Sequence, residues 1–238
     1  MEKLIEFFFP SRCAFCGRLG ESPCDDCKKN IRFISGNTCQ KCGIPIGDTA
    51  LPYCASCLRE DFAFEKVFPV FYYEGVVRRG VHLFKYRGFY QNAITFSRLM
   101  AKKILEADID ANIITFVPTS YERYLLRGFN HSSLLAKNIG KILKIPTVDL
   151  LARVGFTKPF YNLSRQERQR EIKGKIKLKK GYENIIKGKK VILVDDIFTT
   201  GATANECSKV ILENGAKCVF VSVLAITKLA RESSNLKF

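Results

Sequence analysis

The chain has 238 residues, 47% of them hydrophobic, and carries 39 basic against 23 acidic side chains for a net charge of +16. That composition excludes wholesale disorder and leaves room for one large domain, or a medium domain with a small one. No apolar run reaches the roughly 18 residues that cross a membrane, so no membrane insertion is expected.

The N-terminus, MEKLIEFFFPSRC, is too short and too acidic for a secretion signal, which makes the cytoplasm the expected compartment. Leu4, Ile5 and Phe7 to Phe9 are expected to pack on the body as a helical turn. Eight of the ten cysteines follow as four Cys-x2-Cys pairs: Cys13 and Cys16, Cys24 and Cys27, Cys39 and Cys42, Cys54 and Cys57. Two intervening residues let both sulfurs reach one metal, and zinc takes four such ligands in a tetrahedron. Disulfides would need an oxidising compartment. A redox role suits one such pair better than four. Gly17 and Gly43 follow two of the pairs as in zinc knuckles, while CDDCKKNIRFI and CASCLRE read as starts of short helices. Each knuckle is therefore expected to pair with the next helix start. That gives one structural zinc at Cys13, Cys16, Cys24 and Cys27, and another at Cys39, Cys42, Cys54 and Cys57, although a crossed arrangement is open. Cys207 and Cys218 read as core packing.

The cysteine-rich region, residues 1–60, is nearly neutral, with 8 basic and 7 acidic groups. The remaining residues, 61–238, hold the other 31 basic and 16 acidic groups, and 13 of those basic groups fall within residues 151–190. Such a focus attracts phosphates, on a small molecule or on nucleic acid; a solvated, solubilising surface is the plainer reading.

An α/β pattern fills this second region. FEKVFPVFYYEG reads as a strand. VVRRGVHLFKY reads as a helix with Val77, Val81 and Phe84 on one face. QNAITFSRLMAKKILEA is a clearer helix, with Ile94, Leu99 or Met100, Ile104 and Leu105 expected inward. NIITFVP is a strand, and Asn130 should cap the helix after it. EIKGKIKLKKG alternates, placing Ile172, Gly174, Ile176 and Leu178 opposite Lys173, Lys175, Lys177 and Lys179, so an edge ribbon with a lysine stripe is expected. Edge lysines block aggregation; they also suit a phosphate backbone. KVILV and KCVFVSVLAI are fully apolar strands around a helix that Gly215 should stop. Strands alternating with helices predict a mostly parallel sheet covered on both faces.

One stretch, VILVDDIFTTGAT, sets two adjacent carboxylates, Asp195 and Asp196, at a buried strand's carboxyl end, where open sheets bind ligands. Thr199, Thr200, Gly201, Ala202 and Thr203 then lead into a helix whose amides suit a phosphate. Carboxylates for a diol beside a phosphate cradle fit ribose 5-phosphate. The stretch resembles the phosphoribosyl pyrophosphate (PRPP) motif of type I phosphoribosyltransferases. The resemblance implies that Asp195 and Asp196 face the ribose hydroxyls, that residues 199–203 hold the 5-phosphate, and that magnesium accompanies the pyrophosphate. It implies a pyrophosphate loop in VPTSYERYLLRGFNH, with Thr119, Ser120, Arg123 and Arg127. It also implies a hood in TKPFYNLSRQERQREIKGKI, with Arg165, Arg168 and Arg170. Enzymes for 6-oxopurines carry aspartate where this chain has Thr199, which argues against that substrate.

Together, the four Cys-x2-Cys pairs and this domain resemble the ComF (ComFC) family of competence proteins over nearly the whole chain, including FYYEGVVRRGVHLFKYRG and RGFN. The family implies handling of incoming single-stranded DNA in natural transformation, beside other DNA-uptake or recombination proteins. Two hood positions depart from its pattern: Phe160 replaces a glutamine and Glu171 an asparagine. KYRGFY interleaves bases with aromatics, so Lys85, Tyr86 and Arg87 join the lysine stripe as nucleic-acid candidates; a packed helix end is the competing reading. A nucleotide-salvage enzyme acting on a free base is the alternative function, and a regulator that docks proteins through its ribbons a third. His82 and His131 read as packed or surface residues.

Overall fold

The computed structural model describes residues 11–155 and 163–227. The expected N-terminal turn and Phe160 lie outside the described residues. The strands among them are β1 (Lys66–Tyr72), β2 (Ile113–Phe116), β3 (Leu151–Arg153), β4 (Ile176–Leu178), β5 (Lys190–Phe198) and β6 (Cys218–Ile226). The helices are α1 (Asp25–Asn30), α2 (Ala55–Arg59), α3 (Gly75–Tyr86), α4 (Asn92–Glu106), α5 (Tyr121–Arg127), α6 (His131–Leu143), α7 (Arg165–Ile172), α8 (Glu183–Ile186) and α9 (Ala202–Glu213).

The fully apolar strands form one parallel sheet in the order β1-β6-β5-β2, as their double-sided burial requires. Alternation divides β5 between two cores. Val191 and Leu193 join Ile211 and Cys207 of α9 on one face; Ile192 and Val194 join Phe84 of α3, Phe96 of α4 and Leu135 of α6 on the other. Each large side chain fully buried here contributes about 1.5–3 kcal/mol. Asn130 caps α6 by accepting from the Ser132 and Ser133 amides. Gly215 follows α9 with φ +96°, the left-handed turn that its sequence position suggested.

Two expectations are corrected. In α4 the buried residues are Asn92, Ala93, Phe96, Ser97, Met100, Ala101 and Ile104; Met100 and Ile104 face inward as expected, whereas Ile94 is 48% and Leu105 65% exposed. Phe96, Met100 and Ile104 fill the core on this face, and Ser97 Oγ donates to the Leu135 carbonyl of α6 at 3.1 Å. The lysine ribbon is shorter than its alternation implied. Ile172 ends α7, Gly174 turns the chain at φ +71°, and only Ile176–Leu178 pair, antiparallel with β3. The capping box between Ser164 and Glu167 starts that helix and outcompetes the strand pattern.

The cysteine-rich segment covers the free edge of β1. Ile34 N donates to Val70 O (2.9 Å), Tyr72 N to Arg32 O (3.0 Å) and Val67 N to Lys41 O (2.8 Å). An edge strand with such cover is protected from pairing with other chains. Pro69, without an N–H, is tolerated at this edge. The segment shares the cores of the sheet rather than owning a separate one. Cys13, Phe15 and Cys27 enter the cluster with α3 and α4, whereas Cys39, Cys42 and Ile44 enter the one with α9.

Candidate functional site

The cysteines gather in two groups of four, Cys13, Cys16, Cys24 and Cys27, and Cys39, Cys42, Cys54 and Cys57, each with its sulfurs within 4.8 Å of one another. This is the expected sequential pairing. All eight thiols are free. The Cys16 and Cys24 sulfurs, and likewise those of Cys42 and Cys54, lie 3.7 Å apart, near the edge of about 3.8 Å of a tetrahedron with Zn–S bonds of about 2.3 Å. The Cys24 and Cys54 amides, at the starts of α1 and α2, donate to Cys13 Sγ and Cys39 Sγ at 3.4 and 3.3 Å. Such donors stabilise thiolates. Both groups fit a structural zinc, with four ligands and no open position. Cys207 is buried among apolar residues, as core packing requires, whereas Cys218 at the start of β6 is half-buried and lies outside both core clusters.

Beyond the carboxyl ends of β2, β5 and β6 opens a cavity of about 840 Å³. Asp195 and Asp196 line it. Successive strand residues point to opposite sides, and the two carboxylates have different partners. Asp195 Oδ1 accepts from Ser132 Oγ (2.9 Å) and the Asp196 amide (2.8 Å). Burial, then the neighbouring Asp196, push its carboxyl up to about 7. Burial also opposes ionisation of Asp196, but the charge and hydrogen bond of Lys85 outweigh it and hold this carboxyl below its ordinary value. Lys85 Nζ lies 2.7 Å from Asp196 Oδ2, with the side chains 15% and 13% exposed.

Thr199 and Thr203 line the same cavity. Gly201 sits behind them with φ +79°; a Cβ there would lie 2.7 Å from Phe198 Cζ and 3.1 Å from Phe62 Cε1. The glycine is therefore needed for packing beneath the loop. Thr200 Oγ1 accepts from the Ala202 amide at 3.4 Å, closing the turn into α9.

From across the cavity come Thr119, Ser120, Arg123 and Arg127. Ser120 caps α5 by accepting from the Arg123 amide. Arg127 donates to Tyr86 Oη at 2.7 Å and stacks on its ring. Of the three hood arginines, Arg168 lines the cavity and donates to Thr199 Oγ1 at 3.0 Å. Arg165 instead pairs with Glu60 at 2.6 Å, and Arg170 is exposed. Glu171 pairs with Lys175 at 3.0 Å.

Sequence reasoning missed Arg153, at the end of β3. It lines the cavity, where burial and then the nearby Arg123 push its guanidinium down to about 10. Only tertiary proximity reveals it. Thr227, just after β6, also lines the cavity, with a buried hydroxyl that has no hydrogen-bond partner among the described residues. His131 is buried beside Phe84 and Phe129, where Nε2–H donates to the Phe84 carbonyl at 3.2 Å; burial pushes its imidazole down to about 4. It is a packed, neutral residue; His82 is exposed.

The nucleic-acid candidates are dispersed. Lys85 lies inside the cavity, Tyr86 at its mouth, and Arg87 is exposed next to them. Lys175 and Lys179 pair with Glu171 and Asp149, while Lys173 and Lys177 are exposed.

Comparison with known proteins agrees with this two-part construction. Residues 4–58 match the double zinc ribbon domain, and residues 127–237 the phosphoribosyl transferase domain. The chain is 30% identical to the DNA utilization protein YhgH of Salmonella typhi over 210 residues, 86% of this chain and 90% of that protein. It is 29% identical to competence protein F of Haemophilus influenzae, over 92% of this chain and 98% of that one. To competence protein ComFC of Bacillus subtilis it is 24% identical, over 86% and 83%. Among the described residues, no helix is long and apolar enough to cross a membrane.

Proposed function

The chain belongs to the ComF (ComFC) family, and on that premise we propose that it handles incoming single-stranded DNA in natural transformation, with PRPP bound in the cavity. One observation carries the ligand assignment. Paired carboxylates share the cavity with arginines that the fold holds close together, Arg123 and Arg153, and with Arg168 beside Thr199. Like charges in a partly desolvated cavity favour an anion between them. In this reading Asp195 and Asp196 receive the ribose hydroxyls and residues 199–203 the 5-phosphate. Thr119, Ser120, Arg123 and Arg127 receive the pyrophosphate, and Arg153 and Arg168 add to it. Bound Mg²⁺ supplies further neutralisation of pyrophosphate charge. Were the site to turn over, the arginines would stabilise pyrophosphate as it leaves ribose C1 and an acceptor bonds there.

Exposed tyrosines support the strand assignment: Tyr86 and Tyr90 at the cavity mouth, and Tyr121 and Tyr124 on α5. With Arg87 they interleave stacking faces and positive charge, which suits single strands. Handling incoming DNA places the protein in the cytoplasm, beside other DNA-uptake or recombination proteins. The same aromatic mouth would stack a free base in a salvage enzyme, the second reading.

Calorimetric titration of the full chain with PRPP and Mg²⁺, with and without single-stranded DNA, tests the assignment. We expect saturable PRPP binding, and strand affinity falling with salt by about 0.7 log units per log unit for each phosphate contacted. Absence of PRPP binding would sink the cavity assignment. Strand binding that is absent or indifferent to salt would sink the other half, and pyrophosphate release with one particular free base would favour salvage.

A further inference from the structure

We propose that Lys85 is a positioning residue of the ribose subsite, and that the first cysteine knuckle fixes it by seating its helix. The inference rests on the ribose-phosphate reading above. Lys85 Nζ meets Asp196 at Oδ2, 2.7 Å away. A carboxylate accepts at both oxygens, so this contact orients the group while Oδ1 stays available to a ligand hydroxyl. It also supplies positive charge where two adjacent carboxylates would otherwise repel each other. Asp195 on β5, His131 on α6, Arg127 on α5 and Tyr73 after β1 share this electrostatic neighbourhood with Lys85 and Asp196.

A lysine reaches through a flexible four-carbon stem, so its placement depends on α3. That helix touches the knuckle backbone. A Cβ at Gly80 would lie 2.7 Å from the Ala14 carbonyl oxygen and 3.0 Å from Phe15 Cα. Ala14 and Phe15 are the two residues between Cys13 and Cys16. Arg79 Nε donates to the Phe15 carbonyl at 3.1 Å, and buried Asn92, at the start of α4, donates to the Ala14 carbonyl at 2.9 Å. Glycine is disfavoured inside a helix relative to alanine; here the close approach explains it. The loop shaped by the first four cysteines is thus the seat of the helix that carries Lys85 in its last turn.

The test uses the zinc-loaded full chain and two probes, ribose 5-phosphate and 2-deoxyribose 5-phosphate, followed by calorimetry. The wild type should prefer the ribose. Lys85→Met should lose about tenfold in ribose 5-phosphate affinity, the size of one hydrogen bond to a charged group, with the deoxy sugar nearly unchanged. Lys85→Arg should recover most of the loss. Gly80→Ala should lose the same preference while retaining both metals and a cooperative unfolding transition. Should it not fold, Arg79→Ala, which removes one bond to the knuckle, should give a smaller loss of the same kind. Undiminished ribose preference in Lys85→Met, or equal loss for both sugars, would overturn the role of Lys85. Intact preference in folded Gly80→Ala, or in Arg79→Ala where the former does not fold, would overturn the seating. A wild type binding neither sugar phosphate would overturn the ribose-phosphate reading and this inference with it.

Discussion

The two four-cysteine clusters share ligand type, spacing and local geometry, yet they brace different parts of the molecule. The first lies on the sheet face of α3 and α4, where Phe15 meets Phe71 and Phe96 edge to face at 5.7 and 5.5 Å. The second lies on the α9 face. Gly43 is packed so closely on β1 that a Cβ there would fall 2.5 Å from Pro69 Cδ. The chain leaving the second cluster then runs directly under the loop of residues 199–203. Glu60 pairs with Arg165 of α7, Ala63 N donates to Asn205 Oδ1 of α9 at 2.7 Å, and Phe64 meets Phe198 at 6.0 Å. One cluster thus stands behind the carboxylate side of the cavity and the other behind the side formed by residues 199–203. Identical ligand chemistry acquires different consequences from what each loop packs against.

The largest expected effects come from the metals. Structural zinc contributes about 10–16 kcal/mol of binding free energy in small metal-folded domains. Cys27→Ser and Cys42→Ser should each lower zinc content by one ion and reduce the thermal midpoint sharply, as metal analysis and calorimetry would show. If both variants disturb both sides of the cavity equally, the division of labour fails. Next come the aromatic anchors. Phe15→Ala and Phe64→Ala should each cost about 3–5 kcal/mol in denaturant unfolding. Hydrogen exchange should open α3 in the first and the start of α9 in the second; the reverse pattern would contradict the assignment of faces.

A pH series gives a smaller effect and probes the strand end between the two sides. Asp195 has a raised pKa of about 7 in the fold, so the native state holds an extra proton between about pH 4 and 7 and stability falls as pH rises there. His131 has a lowered value of about 4, so its contribution is lost as pH falls from about 6.5. The two slopes oppose each other. Asp195→Asn, which keeps an acceptor for Ser132, should raise stability at pH 8 and expose the loss due to His131 on acidification. A variant whose pH profile parallels the wild type would remove Asp195 from this account. The smallest change is expected for Glu60→Gln, about 0.5–1 kcal/mol for a partly exposed ion pair, read by thermal unfolding in low and high salt.

Much of the site was legible because its signals are local. Cys-x2-Cys spacing places two sulfurs within reach of one ion, and an apolar strand running into Asp195 and Asp196 marks the strand end. Legibility fell at the margins of a helix face. In α4 Met100 and Ile104 are buried as read, but the stripe runs through Ala93, Phe96, Ser97 and Ala101 and leaves Ile94 and Leu105 exposed. It fell again where two local codes overlapped, as in residues 171–179, where a capped helix and a glycine turn claimed half of an alternating pattern.

The sequence by itself determined the four Cys-x2-Cys pairs, the parallel sheet and the strand-end carboxylates, since each depends on periodicity or spacing within a short segment. Only the tertiary structure decided that Lys85 belongs to the cavity, that Arg153 faces it, and that Arg165 does not. Those side chains come from segments far apart in the chain. Their roles depend on which charges the packed elements bring within a few ångströms, a distance that no local pattern encodes.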